Sequence, residues 1–237
     1  MKVLYIGGTG TISSACVREA VHAGLEVHVL NRGRSAARRP LPDWVTTLTA
    51  DVTDPASLER ALAGRDYDCV VNFLAFGAED TAAMVDLLTD RTGQYVHISS
   101  ASAYHKPVRQ LPITESTTLR NPYLGYARGK IAAEEVLRRA YEERSFPATI
   151  VRPSHTYDDA SPPLPGGWTA WDRVARGDEI VVPGDGTSVW TLTHAEDFAV
   201  GLTGLTGNWQ ALGEDFHITS GETLSWNEIY TIVGRAT

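Results

Sequence analysis

Tyr126 and Lys130 stand four residues apart in Tyr126-Ala127-Arg128-Gly129-Lys130. On a helix this spacing makes the two side chains neighbours on one face. A phenol in isolation titrates at about pH 10, too high for ready proton exchange at neutral pH. An ammonium beside it favours the phenolate and lowers that value. The pair is thus a candidate proton donor and acceptor. Upstream, Ser99-Ser100 closes the apolar run Gln94–Ser99. If the run is a strand of an open parallel sheet, Ser100 lies at the strand's C-terminal end, where such sheets bind ligands. Its hydroxyl could then hydrogen-bond the oxygen that Tyr126 protonates or deprotonates.

A second group of residues suits phosphate. Gly7-Gly8-Thr9-Gly10-Thr11-Ile12-Ser13 lies between an apolar run and a helical pattern. Gly7 permits a tight turn, and Gly10 lets backbone N–H groups approach a pyrophosphate. Thr11 and Ile12 open a helix whose N-terminus adds partial positive charge. Ser13 holds the third glycine position and is small enough for close helix–strand packing. Where a cofactor with a free ribose 2′-OH would usually meet an acid, the chain has Asn31-Arg32-Gly33-Arg34. Asn31 does not repel a 2′-phosphate, and Arg32 or Arg34 could pair with one. NADP is therefore favoured, with NAD the alternative. Asp51 and Val52 are placed at the adenine edge.

Positioning these groups requires alternating strands and helices. Strands are expected at Lys2–Ile6, Glu26–Leu30, Val45–Ala50, Asp68–Leu74, Gln94–Ser99 and Ala148–Arg152, and a further buried one at Phe216–Thr219. Helices are expected at Thr11–Ala23, ended by Gly24, from Asp54-Pro55 through Ala63, at Asp80–Asp90, and from about Tyr123 to Glu143. Capping boxes at Thr193/Glu196 and Ser225/Glu228 open two more. Strands apolar throughout, alternating with helices, indicate a parallel sheet covered on both faces. The fold class is α/β, a Rossmann-type doubly wound parallel sheet with a small C-terminal substrate lobe. Residues 1–154 form the dinucleotide-binding domain, with 214–221 returning as a sheet strand. Residues 155–237 are mainly the lobe, expected to be incomplete.

The 237 residues are 43% hydrophobic and 21% charged, enough apolar content for a full core and too little charge for disorder. No apolar run approaches the ~20 residues of a membrane span, and the start is too short for a signal peptide, so a cytoplasmic protein is expected. The net charge of −8 gives no electrostatic reason to bind nucleic acid or an anionic membrane. The one basic cluster is Arg32, Arg34, Arg38 and Arg39. Cys16 and Cys69 stand outside any Cys/His cluster and read as reduced core thiols; no metal site is expected.

Taken together, Gly7-Gly8-Thr9-Gly10, Asp51-Val52, Ser99-Ser100-Ala101-Ser102-Ala103-Tyr104, Thr114-Glu115, Tyr126 to Lys130, Arg152 to Tyr157 and His194-Ala195-Glu196-Asp197 resemble the extended short-chain dehydrogenases/reductases, of the NAD-dependent epimerase/dehydratase type. The resemblance implies hydride transfer at a nicotinamide. Tyr126 would be the acid/base, Lys130 would tune it and hold the nicotinamide ribose, and Ser100 would orient the carbonyl. Leu74, Ala75, Pro153 and His155 join the implied cofactor contacts. Ser102, Tyr104, His155, Trp168 and Trp190 are the implied substrate contacts. The long Tyr123–Glu143 helix is a candidate homodimer face.

Departures from the family narrow the substrate. The Asp-Glu pair of 4,6-dehydratases is replaced by Ala101 and Ser102. His155 and Trp190 stand where nucleotide-sugar members usually carry Asn and a diphosphate-gripping Arg. An enzyme acting on a small sugar-like or hydroxy/keto compound is the leading expectation, as reductase or epimerase. The alternatives are a non-catalytic dinucleotide sensor and an RNA-associated protein, because the Arg152 to Asp197 region also resembles chloroplast stem-loop-binding relatives.

Overall fold

Along the central strands, successive residues turn to opposite faces, and here both faces are apolar. The structure, a computed structural model, describes residues 1–33 and 39–237, so Arg34 and Arg38 lie outside the described residues. In chain order the elements are β1 (Lys2–Ile6), α1 (Thr11–His22), β2 (Glu26–Asn31), β3 (Thr46–Thr49), α2 (Pro55–Leu62), β4 (Cys69–Asn72), α3 (Ala78–Leu88) and β5 (Tyr95–Ile98). Then come α4 (Gly125–Arg144), β6 (Ala148–Pro153), β7 (His155–Tyr157), α5 (Trp168–Ala175), β8 (Val189–Trp190) and β9 (Leu192–His194). The chain closes with α6 (Ala195–Leu205), β10 (Asp215–Ile218), β11 (Leu224–Ser225) and α7 (Trp226–Ala236).

Seven strands form one parallel sheet in the order β10-β6-β5-β4-β1-β2-β3. Strand order reverses at β1, the switch point beside which a doubly wound sheet opens its ligand crevice. On one face Val3, Tyr5, Val29 and Val71 pack against Cys16 and Ala20 of α1 and Phe198 and Leu202 of α6. On the other, Leu4, Ile6, Val70 and Ile150 meet Leu58 of α2, Met84 of α3 and Leu137 of α4. A smaller core joins Leu164 and Ala170 to Trp226, Ile229 and Tyr230, between α5 and α7. Both cysteines are free and buried, and burial pushes the Cys69 thiol up to about 12.

Local signals explain most boundaries. The Asp54 carboxylate accepts from Ala56 N–H at 3.0 Å and caps α2. Gly24, at φ +76°, turns the chain after α1. Ser225 and Glu228 form the expected capping box on α7. Two details differ from the sequence expectation. β10 is only half buried, because it is the sheet's edge strand. The cap of α6 is His194, which accepts from Glu196 N–H at 3.4 Å. Thr193 is buried in β9, its hydroxyl 3.2 Å from that of Thr219 and accepting from Ser220 N–H.

Gly129 makes the seating of α4 testable. A Cβ there would overlap the Phe76 carbonyl oxygen. Gly129→Ala is therefore expected to destabilise the protein by about 1–3 kcal/mol in urea unfolding, as overpacking does. At Gly125 the nearest atom to an added Cβ is a flexible Arg128 nitrogen at 3.6 Å. Gly125→Ala should be neutral or gain up to about 1 kcal/mol. Equal losses at both positions would show that α4 does not rest on the Phe76 carbonyl.

Candidate active site

The glycine-rich turn follows β1 and leads into α1. Gly7 has φ +90°, and a side chain there would drive its Cβ to 2.6 Å from the Leu74 Cγ. Gly10 precedes the helix, and its N–H donates to the Ser13 hydroxyl at 2.8 Å. Ser13 is thus more than a small filler: it closes the turn. The N–H groups of the first turn of α1 have no partner within the helix, the usual condition of a helix start. No acidic residue stands in that turn.

Beside this turn lies a cleft of about 980 Å³, lined by Gly7, Gly10, Asn31, Arg32, Val52 and Leu74 among others. Ala75 and Phe76 line it as well. The Asn31 side chain accepts from Gly33 N–H at 2.7 Å, which shapes the turn after β2. Asp51 accepts from both the N–H and the hydroxyl of Thr53, at 3.0 and 2.8 Å. A cradle too tight for a Cβ, a helix start without acids and an arginine on the wall fit a dinucleotide in shape and charge.

Sequence reasoning did not single out Arg39 from its basic cluster. Its guanidinium grips Asp158 through two hydrogen bonds of 2.6 and 3.0 Å. It also donates to the Ser161 hydroxyl at 2.9 Å and the Thr11 hydroxyl at 3.3 Å. Thr11 therefore supports a strap between the β2 loop and the segment after β7. Asp158 and Ser161 lie 119 and 122 residues from Arg39, and Thr11 lies 28 away, so nothing local signals them.

Tyr126 and Lys130 share a face of α4, as their spacing requires. Lys130 is 1% exposed and donates to two backbone carbonyls, Ala75 and Ile98, each at 2.7 Å. Its ammonium sits 4.7 Å from the Phe76 ring centre and 5.8 Å from that of Tyr126. Burial pushes the amine down to about 8, with Glu134 and then Asp80 opposing the fall.

Tyr126 is 45% exposed, and its phenol stands near enough to the Ser100 hydroxyl for that group to pull its titration down. Ser100 also accepts from Ser102 N–H at 3.1 Å, in the short 3₁₀ turn after β5. The expectation that the ammonium lowers the Tyr126 phenol is not met. Burial raises it, only partly offset by Ser100. The Lys130 ammonium is instead committed to backbone carbonyls.

The residues expected at the substrate separate into groups. His155 and Trp190 meet, ring centres 5.6 Å apart, and buried Trp226 packs against both at 6.0 and 5.6 Å. Burial lowers the His155 imidazole below its ordinary value. Trp226 gave no signal in the sequence beyond opening a helix. Trp168 stands elsewhere, paired with Trp171 at 6.0 Å and donating to the Ala160 carbonyl. Ser102 has a buried hydroxyl without a partner among the described residues, while its carbonyl accepts from Asn121. Pro153 is buried at the end of β6. Ile12 is half-buried beside the sheet core. The placement of Tyr104 near substrate is corrected: it is fully buried, its hydroxyl 3.4 Å from Arg152 and its ring 5.3 Å from that of His217.

Residues 3–218 match the model of the NAD dependent epimerase/dehydratase family. The chain is 31% identical over 241 residues to 2'-dehydrokanamycin reductase of Streptomyces kanamyceticus, covering 100% of this chain and 66% of that protein. It is 27% identical over 246 residues to the chloroplast stem-loop binding protein of 41 kDa b of Arabidopsis thaliana, covering 99% of this chain and 63% of that one. The chain thus spans less than two thirds of the length of these relatives. Among solved structures, the Thermus thermophilus UDP-glucose 4-epimerase complex with NAD superposes with a TM-score of 0.83 at 22% identity, over 100% of this chain and 83% of the epimerase. That likeness shows the shared fold. With the family model matching nearly its whole length, the chain belongs to the NAD-dependent epimerase/dehydratase family.

Proposed function

We propose that this chain is an NADP-preferring oxidoreductase acting on a carbonyl or hydroxyl of a small, sugar-like compound. The observation that carries the reading is the buried Lys130 ammonium, which donates to the Ala75 and Ile98 carbonyls at the C-terminal edge of the sheet, with Tyr126 one helical turn before it, near Ser100, and Ala75 on the wall of the cleft that the glycine turn lines. A bound nicotinamide would supply the hydride. This chain's part is to hold the cofactor on the glycine turn and Lys130, orient the substrate oxygen with Ser100, and exchange its proton at the Tyr126 Oη.

The relative named as a reductase of 2'-dehydrokanamycin favours reduction of a ketone on a sugar-like ring. Trp190 sits in an aromatic group with His155 and Trp226 where a diphosphate-gripping Arg would be needed for a nucleotide sugar. Of the nearby cations, Arg176 is paired with Asp172 and Asp178, and Arg173 donates to the Glu179 carbonyl. Against an RNA role stands the net charge of −8, which opposes phosphate-backbone binding.

Three outcomes are expected. NADPH should bind more tightly than NADH, and Arg32→Ala should weaken NADPH more than NADH in fluorescence titrations. An initial preference for NADH, or equal loss for both, would refute the assignment of Arg32. On a keto substrate found by following NADPH oxidation, Tyr126→Phe should lower turnover ~10²–10⁴-fold with cofactor binding nearly unchanged. Lys130→Met should damage both. Normal turnover by Tyr126→Phe would remove the acid/base role. Calorimetry with UDP- and dTDP-sugars on cofactor-loaded protein should show weak binding or none, since a charged hydrogen bond worth ~1.5–3 kcal/mol is missing. Micromolar binding, lost in Arg173→Ala, would show that the cation has only moved.

A further inference from the structure

The face of α4 that carries Tyr126 and Lys130 continues one turn further to Glu134, a carboxylate with no solvent exposure. Its Oε1 accepts from the Ser99 hydroxyl at 2.5 Å and from Arg152 Nε at 2.9 Å. Its Oε2 accepts from Arg152 Nη2 at 2.6 Å and Arg138 Nη2 at 3.0 Å. Arg152 is itself fully buried and also binds Asp215, on β10, at 2.6 Å. One side chain therefore joins three elements: α4, the end of β5 next to Ser100, and β6. A pair needed only for stability could be replaced by apolar residues at little cost.

We propose that Glu134 is a positioning residue for the Ser100/Tyr126/Lys130 group, tying the end of β5 to α4 and supplying the counter-charge for the buried Lys130 ammonium. The inference rests on Lys130 as a cofactor ligand, the reading given above. Lys130 has two of its donors on Ala75 and Ile98, whose carbonyls carry only partial charge. The charged or titratable groups around it are few. From α4 come Glu134 and Tyr126, from α3 Asp80, and from β5 His97, an imidazole that burial keeps neutral and whose ring nitrogens have no partner among the described residues. Behind Glu134 stand Arg152 and Arg138. Glu134 is foremost among the groups that hold the proton on Lys130.

The test is the pH dependence of NADPH dissociation, titrated by fluorescence across the neutral-to-alkaline range. In the wild type, affinity should fall roughly five- to tenfold as a charged donor becomes a neutral one, with a midpoint at about 8. Glu134→Gln should move that midpoint down by about one pH unit, and Glu134→Asp, which keeps the charge, should restore most of it. Glu134→Gln leaves Arg152 short of a partner in the core and can fail to fold. Arg138→Gln then decides, since Arg138 is partly exposed: removing a cation beside Glu134 should move the midpoint up. A folded Glu134→Gln with the wild-type midpoint, or an unmoved midpoint in Arg138→Gln, overturns the inference. Lys130→Met separates the two readings. If it binds NADPH with the wild-type pH profile, the cofactor-ligand reading falls and the inference with it. If it loses the profile while Glu134→Gln keeps it, the inference alone falls.

Discussion

A buried ammonium must be solvated by the protein or lose its proton. Lys130 meets that demand with the carbonyls of Ala75, beyond β4, and Ile98, at the end of β5. Both acceptors belong to the sheet's C-terminal edge, so the demand fixes the rotation and height of α4 above it. Gly129 lets the helix come down onto the Phe76 carbonyl, which a Cβ would not allow. Once Lys130 is seated, the residue one turn earlier has to emerge at the rim. There Tyr126 meets Ser100, two residues beyond Ile98. The meeting of phenol and hydroxyl thus follows from how one cation is satisfied.

The same economy governs the other cations. Arg152 is enclosed by Glu134 and Asp215, Arg39 by Asp158, and Arg176 by Asp172 and Asp178. These pairs differ in consequence. The first sits at full burial, where breaking it would strand a charge; the last is exposed and contributes little. Arg39 binds two loops over the start of α1, beside the phosphate cradle. Arg32, by contrast, stands on the wall of the dinucleotide cleft.

How much of this could be read in the sequence depends on the range of the interaction involved. Strands buried on both faces are apolar throughout, so the parallel sheet is legible from β1, β4 and β6 alone. The Asp54 cap and the Ser225/Glu228 box are contacts within three residues, and they read correctly. Thr193 did not, because Thr219 and Ser220 recruit its hydroxyl from across the chain. Tyr104 was misplaced for the same reason: Arg152, its partner, is 48 residues away. Trp226 carries no periodic signal that separates a ring packed on His155 and Trp190 from an ordinary helix start. Spacing brought Tyr126 and Lys130 together correctly, yet it could not tell where the ammonium's protons would go.

The commitment of the Lys130 protons to carbonyls alters what Tyr126 can do. Beside an uncommitted ammonium, Tyr126 would lean toward phenolate and toward taking a proton. Here burial holds the phenol above its ordinary value, against the pull of Ser100. At neutral pH it is protonated, and Ser100 is placed to hold an oxygen within its reach. On the function proposed above, a phenol so held would enter as an acid, giving its proton to an oxygen that gains charge as a carbonyl is reduced. Working in the other direction, it would first need a base to remove that proton. Lys130, buried and holding its own proton below about 8, offers none at neutral pH. The protonation state of this phenol is therefore set by burial rather than by residue spacing.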